Sequence, residues 1–301
     1  MSETTHVDIC ICTFRRKHIA ETIESIAEMV LNDDLVIRLI IADNDVEPSA
    51  KSLVHETALR NGLDVHYVHA PSCNISIARN ACLDAVTAPY VAFIDDDELV
   101  TEQWLNALMQ TLQSSKADIA VGPVKAIYNC DTPEWVIAGD FHSIYPVFVN
   151  GEIRTGASNN ILMRYTPALF GNLRFRINLG KSGGEDTVFF HTLWSEGARF
   201  VYSPEAVVTE YVPKDRATLL WLLRRRFRYG QTHGSILLSN SPGIAGRFKN
   251  IMLCLVKGHI CLGGAVVNAW RINKFRFWLL RGTLHFGAVA KLFGKKEIEC
   301  Y

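Results

Sequence analysis

The 301-residue sequence has no CxxC pair and no cysteine and histidine spacing typical of a zinc site. Zinc-ribbon and dithiol redox proteins are therefore excluded by motif. Neither common glycine-rich phosphate loop is present, so neither a P-loop protein nor a dinucleotide-binding protein is predicted. Internal repeats and low-complexity segments are also missing, whereas 49% of the residues are hydrophobic. These features predict one large α/β domain with a substantial core, plus an appendage.

The eight cysteines show no pattern of a disulfide framework. Cys10 and Cys12 alternate within an apolar strand, so both side chains should face the same side of a core. Residues 1–5 are polar and show no signal-peptide pattern. We therefore expect reduced thiols and a cytoplasmic setting.

The net charge of the chain is zero, but the charges are unevenly distributed. Residues 1–212 contain 15 Lys and Arg against 28 Asp and Glu, a balance of −13, whereas residues 213–301 contain 16 against 3, a balance of +13. This asymmetry predicts two parts, 1–212 and 213–301. The acidic part would need a metal ion to bind a phosphorylated ligand, and the basic part predicts an anionic surface as partner.

Apolar segments of strand length alternate with segments of helical periodicity in the first 115 residues. The predicted strands are 7–13, 36–42, 64–69 and 90–94, and the predicted helices are 19–30, 49–61, 75–85 and 104–112. This alternation predicts a parallel sheet whose ligands bind outside the carboxyl ends of its strands. Asp43, Asp45 and the acidic residues 95–97 all fall at that edge.

Four acidic residues, Asp95 to Glu98, directly follow the apolar strand 90–94. A solvated turn that caps the next helix would account for one or two of them. Clustered carboxylates raise one another's pKa unless a cation offsets their charge. We therefore predict a divalent metal, Mg²⁺ or Mn²⁺, held at the carboxyl end of this strand by its acidic residues.

A second acidic motif, Gly184-Glu185-Asp186, precedes the apolar helical segment 188–194, which Gly197 should close. Asp186 is predicted in the first helical turn. By itself this motif favours an ordinary helix N-terminal acid over a catalytic residue.

In this order, the motifs resemble family 2 of inverting glycosyltransferases with the GT-A fold. The resemblance covers residues 7 to about 213 and is carried by segments 12–16, 42–45, 77–80, 88–97 and 184–186. Three further segments, 72–80, 139–142 and 180–186, are similar to members that add β-linked glucose during exopolysaccharide assembly.

The resemblance implies a Rossmann-like mixed sheet flanked by helices, and a UDP-sugar donor, UDP-glucose. It implies that Asp97 binds the metal and that Asp95 contacts the metal or the nucleotide ribose. The other nucleotide contacts that it implies are Thr13 with the base, Asp43 with uracil, and Arg79 near the phosphates.

Inversion needs a general base on the sugar face opposite the leaving group. In combination with the Asp95–Asp97 motif, Asp186 is our choice for that base, and Glu185 is the weaker candidate. Arg15 and Arg16 either bind the diphosphate or form a solvated loop. The family often carries a histidine after the strand near 207–209, and Glu210 stands there instead, which leaves a late metal ligand open.

The basic segments 221–229 and 270–281 interleave aromatic residues with cations on predicted helices. This pattern favours an anionic membrane surface over nucleic acid, with simple packing on the domain as the remaining alternative. Lys257 interrupts the apolar segment 251–270, so lying in the interface is favoured over spanning. We expect a peripheral protein on the inner face of the cytoplasmic membrane that acts on a lipid-linked oligosaccharide.

Two other functions remain alternatives. A sugar-nucleotide nucleotidyltransferase has a similar sheet and acidic metal site, but normally needs a glycine-rich signature that segment 12–16 lacks. A catalytically inactive, membrane-attached scaffold would not need Asp95, Asp97 and Asp186 together. The sequence leaves open the donor sugar, the linkage, the acceptor, the choice of metal and the oligomeric state.

Overall fold

A computed structural model describes residues 4–241 and 243–298 as a mixed α/β protein. Its strands are, in chain order, β1 (Thr5–Thr13), β2 (Leu35–Asp43), β3 (Val65–His69), β4 (Tyr90–Asp95), β5 (Glu98–Val100), β6 (Ile119–Val121), β7 (Val124–Ile127), β8 (Phe148–Val149), β9 (Glu152–Ile153), β10 (Asn160–Arg164), β11 (Phe200–Tyr202) and β12 (Val208–Tyr211).

The helices alternate with strands in the first half and follow one another at the end of the chain. They are α1 (Ile19–Ala27), α2 (Lys51–Arg60), α3 (Ile75–Ala85), α4 (Trp104–Ser115), α5 (Glu134–Gly139), α6 (Pro167–Phe170), α7 (Glu185–Ser195), α8 (Leu219–Asn240), α9 (Ile244–Val267) and α10 (Ile272–Leu292).

The central sheet has seven strands in the order β11-β6-β10-β4-β1-β2-β3. Only β10 runs antiparallel to its neighbours, β4 and β6, and the other pairings are parallel. The predicted Rossmann-like mixed sheet flanked by helices is therefore confirmed. Its parallel part consists of the βα units expected from the alternating pattern.

The sheet separates two layers of core. Ile9 and Ile11 of β1 pack with α1 and α4 on one face, whereas Cys10 and Cys12 pack with α3 and α7 on the other. This confirms that the two cysteines share one side. Because both faces of β1 are covered, all of its residues from Val7 to Thr13 are buried.

A smaller sheet, in the order β5-β12-β7, lies beside the carboxyl ends of the central strands. It begins where the chain turns out of β4 after Asp95. Its antiparallel pairing places Glu210 of β12 opposite Glu98 of β5. Two carboxylates from segments more than 100 residues apart are thereby brought next to the predicted metal site.

The last three helices form a layered group in which α10 packs against both α8 and α9. Where α8 and α10 cross, a Cβ added at Gly287 would lie 2.0 Å from the carbonyl oxygen of Phe227. Glycine is therefore needed at this close approach. Of the described helices, α9 is long and apolar enough, by length and composition, to cross a membrane.

Candidate active site

The predicted site residues of the first half meet at the carboxyl edge of the central sheet. In the strand register, Thr13 of β1 lies opposite Asp43 of β2, and Cys12 lies opposite Asp95 of β4. Parallel strands end at the same edge, so local sequence positions become spatial neighbours. The edge therefore presents a hydroxyl and several carboxylates to one region.

The acidic turn after β4 is held by hydrogen bonds from the β1–α1 segment. Thr13 Oγ1 donates to Asp96 Oδ2 at 2.7 Å, and Thr22 Oγ1 donates to the Asp96 carbonyl at 3.1 Å. Arg16 Nη1 donates to Asp96 Oδ1 at 3.0 Å and also contacts Asp97 Oδ2. Asp96 is buried, so it supports the turn, while the side chain of Asp95 is 41% exposed.

Several carboxyl groups at this turn hold their protons more tightly than usual. Burial raises the pKa of Asp96 to about 6, against the opposing charge of Arg16. Burial, together with the nearby charge of Asp97, raises the pKa of Glu210 to about 7. Burial and the charges of Asp95 and Glu210 raise the pKa of Glu98 well above its ordinary value. A bound cation would relieve this repulsion.

The Glu-Asp motif lies at the start of α7, as predicted, with Asp186 in the first turn. The preceding glycines 183 and 184 have φ values of +80° and +87°, which favour glycine. Helix α8 packs directly on this turn, because Arg228 Nη1 donates to the Ser182 carbonyl at 3.2 Å. The C-terminal helices therefore help to hold the segment that carries Asp186.

Arg79 of α3 connects the two acidic motifs. Its side chain is only 7% exposed, its Nη1 contacts Glu185 Oε1, and its Nη2 lies 3.6 Å from Asp95 Oδ1. Burial alone would lower the pKa of Arg79, but the charges of Glu185, Asp95 and Asp186 outweigh burial and raise it. One buried cation thus brings the end of β4 and the start of α7 into a single site.

Asp43 and Arg15, two residues predicted to contact the donor, already have hydrogen-bond partners within the protein. Asp43 is fully buried, and its carboxylate accepts hydrogen bonds from the backbone N–H groups of Asp45 and Ala50 and from the Tyr67 hydroxyl at 2.6 Å. Asp43 therefore shapes the loop after β2, and its contact with uracil stays a prediction. Arg15 is 63% exposed and pairs with Asp45 at 2.9 Å.

The aromatic residues near the acidic edge are packed rather than open. His142 is buried, its Nε2 lies 3.1 Å from the Arg216 carbonyl, and its ring stacks on Trp221 of α8. Burial lowers the pKa of His142 to about 4, so its ring is neutral at pH 7. His142 is thus a packed core histidine.

The chemistry of the acidic turn suits a hard divalent cation, because its available ligands are carboxylate oxygens. Within residues 4–241 and 243–298, however, no three His, Cys, Asp or Glu side chains are already arranged to hold a metal. The guanidinium of Arg16 contacts both Asp96 and Asp97 and so offsets part of their negative charge. The residues therefore fit a cation once Arg16 releases Asp97.

Residues 8–169 match the model of glycosyl transferase family 2. The chain belongs to this family. It is 46% identical over 303 residues to the succinoglycan biosynthesis protein ExoM of Rhizobium meliloti (strain 1021), covering 100% of this chain and 97% of ExoM. The resemblance predicted from segments 72–80, 139–142 and 180–186 is thereby confirmed.

Two solved structures share the fold. The mannosyltransferase PcManGT from Pyrobaculum calidifontis, in complex with GDP-Man and Mn²⁺, has a TM-score of 0.64 at 16% identity, covering 98% of this chain and 89% of that one. S. aureus TarS 1–349 in complex with UDP has a TM-score of 0.55 at 15% identity, covering 98% and 93%. The GT-A fold predicted from the sequence is confirmed.

Sequence reasoning selected neither Glu98 nor Arg16 for the metal site, and it noted Glu210 only as a departure from the family pattern. The contacts of all three depend on which distant segments become neighbours. The one signal available in the sequence was the position of Glu210, which stands where the family often has a histidine.

Proposed function

We propose that the protein is a metal-dependent, inverting glycosyltransferase that moves glucose from UDP-glucose to a lipid-linked oligosaccharide during exopolysaccharide biosynthesis. The observation that carries the proposal is the position of Arg79 between Asp95 and Glu185, next to Asp186. Asp95, on the proposed donor side, and Asp186, the proposed base, would then face the same site of transfer. The similarity to ExoM supports the choice of pathway, and the UDP complex of TarS supports the choice of nucleotide.

In this proposal the transfer is a single displacement. The acceptor hydroxyl oxygen forms a bond to the anomeric carbon while the bond from that carbon to the UDP oxygen breaks. Asp186 takes the hydroxyl proton, and the bonding electron pair leaves with the diphosphate. Because attack and departure occur on opposite faces, an α-linked donor yields a β-linked product.

The N-terminal residues would bind the donor. Thr13, Asp43 and Arg79 are proposed on the nucleotide side, and Arg15 is proposed near the diphosphate. Asp95 and Asp97 would hold Mg²⁺ or Mn²⁺, with Glu210 as a neighbouring carboxylate. When bound, the cation would stabilise the negative charge that develops on the leaving diphosphate.

Glu185 has a supporting role in this scheme. Its Oε1 contacts Arg79, and its Oε2 is buried without a hydrogen-bond partner among the described residues. An ion pair at this depth restricts the orientation of the first turn of α7. Glu185 would therefore position Asp186, which is less buried and accepts hydrogen bonds from the backbone N–H and the hydroxyl of Thr187.

We further propose that residues 1–212 form the donor-binding unit and residues 213–301 a basic helical unit, which faces the anionic inner surface of the cytoplasmic membrane. No nucleic acid is involved in this scheme. The charge balance of −13 and +13 supports the division.

A panel of labelled nucleotide sugars, incubated with the full chain and a membrane extract, tests this function. We expect label from UDP-glucose to enter the organic-solvent phase, and expect EDTA to abolish transfer until Mg²⁺ or Mn²⁺ is restored. Transfer from another donor would overturn the choice of glucose. Formation of UTP and glucose 1-phosphate from UDP-glucose and added pyrophosphate would indicate the nucleotidyltransferase, and no consumption of any donor would indicate a scaffold.

A further inference from the structure

Helix α9 buries only one narrow stripe of its surface. The stripe consists of Ile251, Cys254, Gly258, Cys261 and Ala265, which recur every three or four residues. These side chains face α10, and a Cβ added at Gly258 would lie 3.0 Å from the ring of Phe286. With its small residues, the stripe allows α9 to pack closely along α10 and leaves the rest of the helix uncovered.

The opposite face of α9, here called the outer face, is apolar and exposed. Phe248, Met252, Val256, Gly263 and Val267 share this face, because spacings of four, seven and four residues return to nearly the same direction at 3.6 residues per turn. Val256 is 57% exposed and Val267 is 62% exposed. Trp270, just beyond the helix, is 75% exposed. An apolar face of this length on a protein surface indicates a partner.

Cations surround the outer face without any opposing acids. Between Asp215 and Glu297 the chain contains 15 Lys and Arg and no Asp or Glu. Lys249 projects from the N-terminal end of the outer face, seven residues before Val256, Lys257 lies at its side, and Arg271 and Lys274 follow the end of α9; all four are exposed. A lysine at the end of the face can extend its amino group to the headgroups. An apolar stripe with flanking cations is complementary to a bilayer that carries anionic headgroups.

The same charges disfavour the other occupants of this face. A second copy of the chain would bring two sets of these cations together, because a two-fold contact repeats the same surface. Nucleic acid would use the cations for its phosphates but would leave the aliphatic side chains of the outer face in water. A bilayer accepts both the aliphatic side chains and the cations.

We propose that α9 lies parallel to an anionic bilayer, with its outer face inserted at the level between headgroups and acyl chains. This inference deepens the proposed function and rests on it for the lipid-linked acceptor. Spanning is disfavoured by packing: α9 lies along α10, and immersion of both would bring Lys257, Lys274 and Arg281 toward the hydrocarbon. In the parallel orientation, α8 connects this surface to the turn that carries Asp186, through Arg228 and Ser182.

Vesicle flotation of the full chain, without donor or acceptor, tests the surface alone. We expect binding to vesicles of phosphatidylethanolamine and phosphatidylglycerol, and little binding to phosphatidylcholine. Replacing Met252, Val256 and Val267 together by Gln should lower the partition coefficient at least ~10-fold, since each loses its apolar contact with lipid.

The matched control replaces three exposed apolar residues of the N-terminal part, Val30, Leu59 and Val147, by Gln. This control should bind vesicles as the unchanged chain does, and thermal melting checks that both variants fold. The assigned surface would be overturned if both variants lost vesicle binding to the same extent. It would also be overturned if the unchanged chain bound neutral and anionic vesicles equally. Sedimentation in buffer gives a further check. If the unchanged chain is a dimer and the α9 substitutions dissociate it, then a second copy of the chain, and not a bilayer, covers the outer face.

Spin labels along the outer face separate the parallel from the spanning orientation. Cysteines replace Met252, Val256, Gly263 and Val267 one at a time, in a background in which Cys73, Cys130 and Cys300 are Ser. We expect similar shallow depths at all four positions. A depth that changes steadily along the helix, by up to ~22 Å over 15 residues, would overturn the parallel orientation. Because sugar transfer to a detergent-solubilised acceptor is measured separately, failure of the surface and failure of the transferase remain distinguishable.

Discussion

The two parts of the chain differ in how completely they bury their own apolar residues. In 1–212, β1 is buried on both faces. The charged residues that follow the carboxyl ends of the central strands belong to the candidate site. In 213–301, α9 buries one stripe and exposes the opposite face. The first part thus buries both faces of its central strand and concentrates buried charges at the candidate site. The second part keeps apolar surface and positive charge available for something outside the chain.

The largest effect is expected at Asp186, which belongs to the candidate site of residues 1–212. Replacing it by Asn should lower kcat by about 10²- to 10⁴-fold, because a general base contributes that much, and should leave the KM for UDP-glucose nearly unchanged. Steady-state kinetics with the full chain measures both constants. The control is Glu152→Gln, an exposed acid whose side chain is 60% exposed. Substantial turnover in Asp186→Asn would remove Asp186 from the role of base.

The buried ion pair of Arg79 and Glu185 should give the next effect, on stability. Arg79→Met leaves Glu185 buried without its counter-charge, so we expect the free energy of unfolding to fall by about 3–5 kcal/mol. Chemical denaturation measures this change. The double variant Arg79→Met with Glu185→Leu should recover part of the loss, because it removes the stranded charge. A loss that is unchanged in the double variant would contradict the pairing.

A smaller and pH-dependent effect is expected at Asp8. Burial alone would raise the pKa of Asp8, but hydrogen bonds from Arg38 and from the backbone N–H groups of Thr87 and Ala88 outweigh it and lower the pKa. The ionised Asp8 carboxylate therefore stabilises the folded protein above the unfolded pKa of 3.8, and this stabilisation is lost as pH falls through the lower folded pKa. Asp8→Asn should cost about 2 kcal/mol at pH 7 and progressively less below pH ~4.

Thermal melting of both proteins across this pH range provides the measurement for Asp8. The control is Asp84→Asn, whose carboxylate pairs with Arg174 but is 63% exposed, so its removal should cost under ~1 kcal/mol. A difference between wild type and Asp8→Asn that grows on acidification would contradict the sign of the shift.

The smallest effect should come from single cations of the second part. Arg271→Gln and Lys274→Gln should each weaken binding to phosphatidylglycerol vesicles about fivefold, since a cation near an anionic surface contributes about 1 kcal/mol. Lys51→Gln and Lys125→Gln, on the N-terminal part, serve as matched controls and should change nothing. Losses of equal size at all four positions would erase the distinction between the two parts.

The fold could be predicted from the sequence because its signals are local. Alternating apolar segments identified β1 to β4 and the intervening helices, although α1 ends at Ala27 and not near residue 30. Strand alternation also placed Cys10 and Cys12 on one face. The candidate base could be placed as well: glycines at 183 and 184, followed by an apolar helical segment, predicted Asp186 in the first turn of α7.

The partners of these residues were decided by the tertiary structure. The contact of Asp43 with a base stays a prediction, whereas its hydrogen bonds with Tyr67 and the N–H of Ala50 were seen only in the structure. Arg16 reaches Asp96 and Asp97 across some 80 positions of sequence, and Arg79 reaches Glu185 across 106. No local pattern encodes such pairs, because they arise only after distant segments have packed together.

The sequence alone determined the strand and helix pattern, the acidic end of β4 and the opposite charges of the two parts, since these depend on residue type and short spacing. Tertiary structure decided that Glu98 and Glu210 stand opposite each other and that Arg79 links two acidic motifs. It also decided which face of α9 is covered by α10. The reason is physical: strand order, register and helix contacts are set by burial over the whole chain, which no short segment contains.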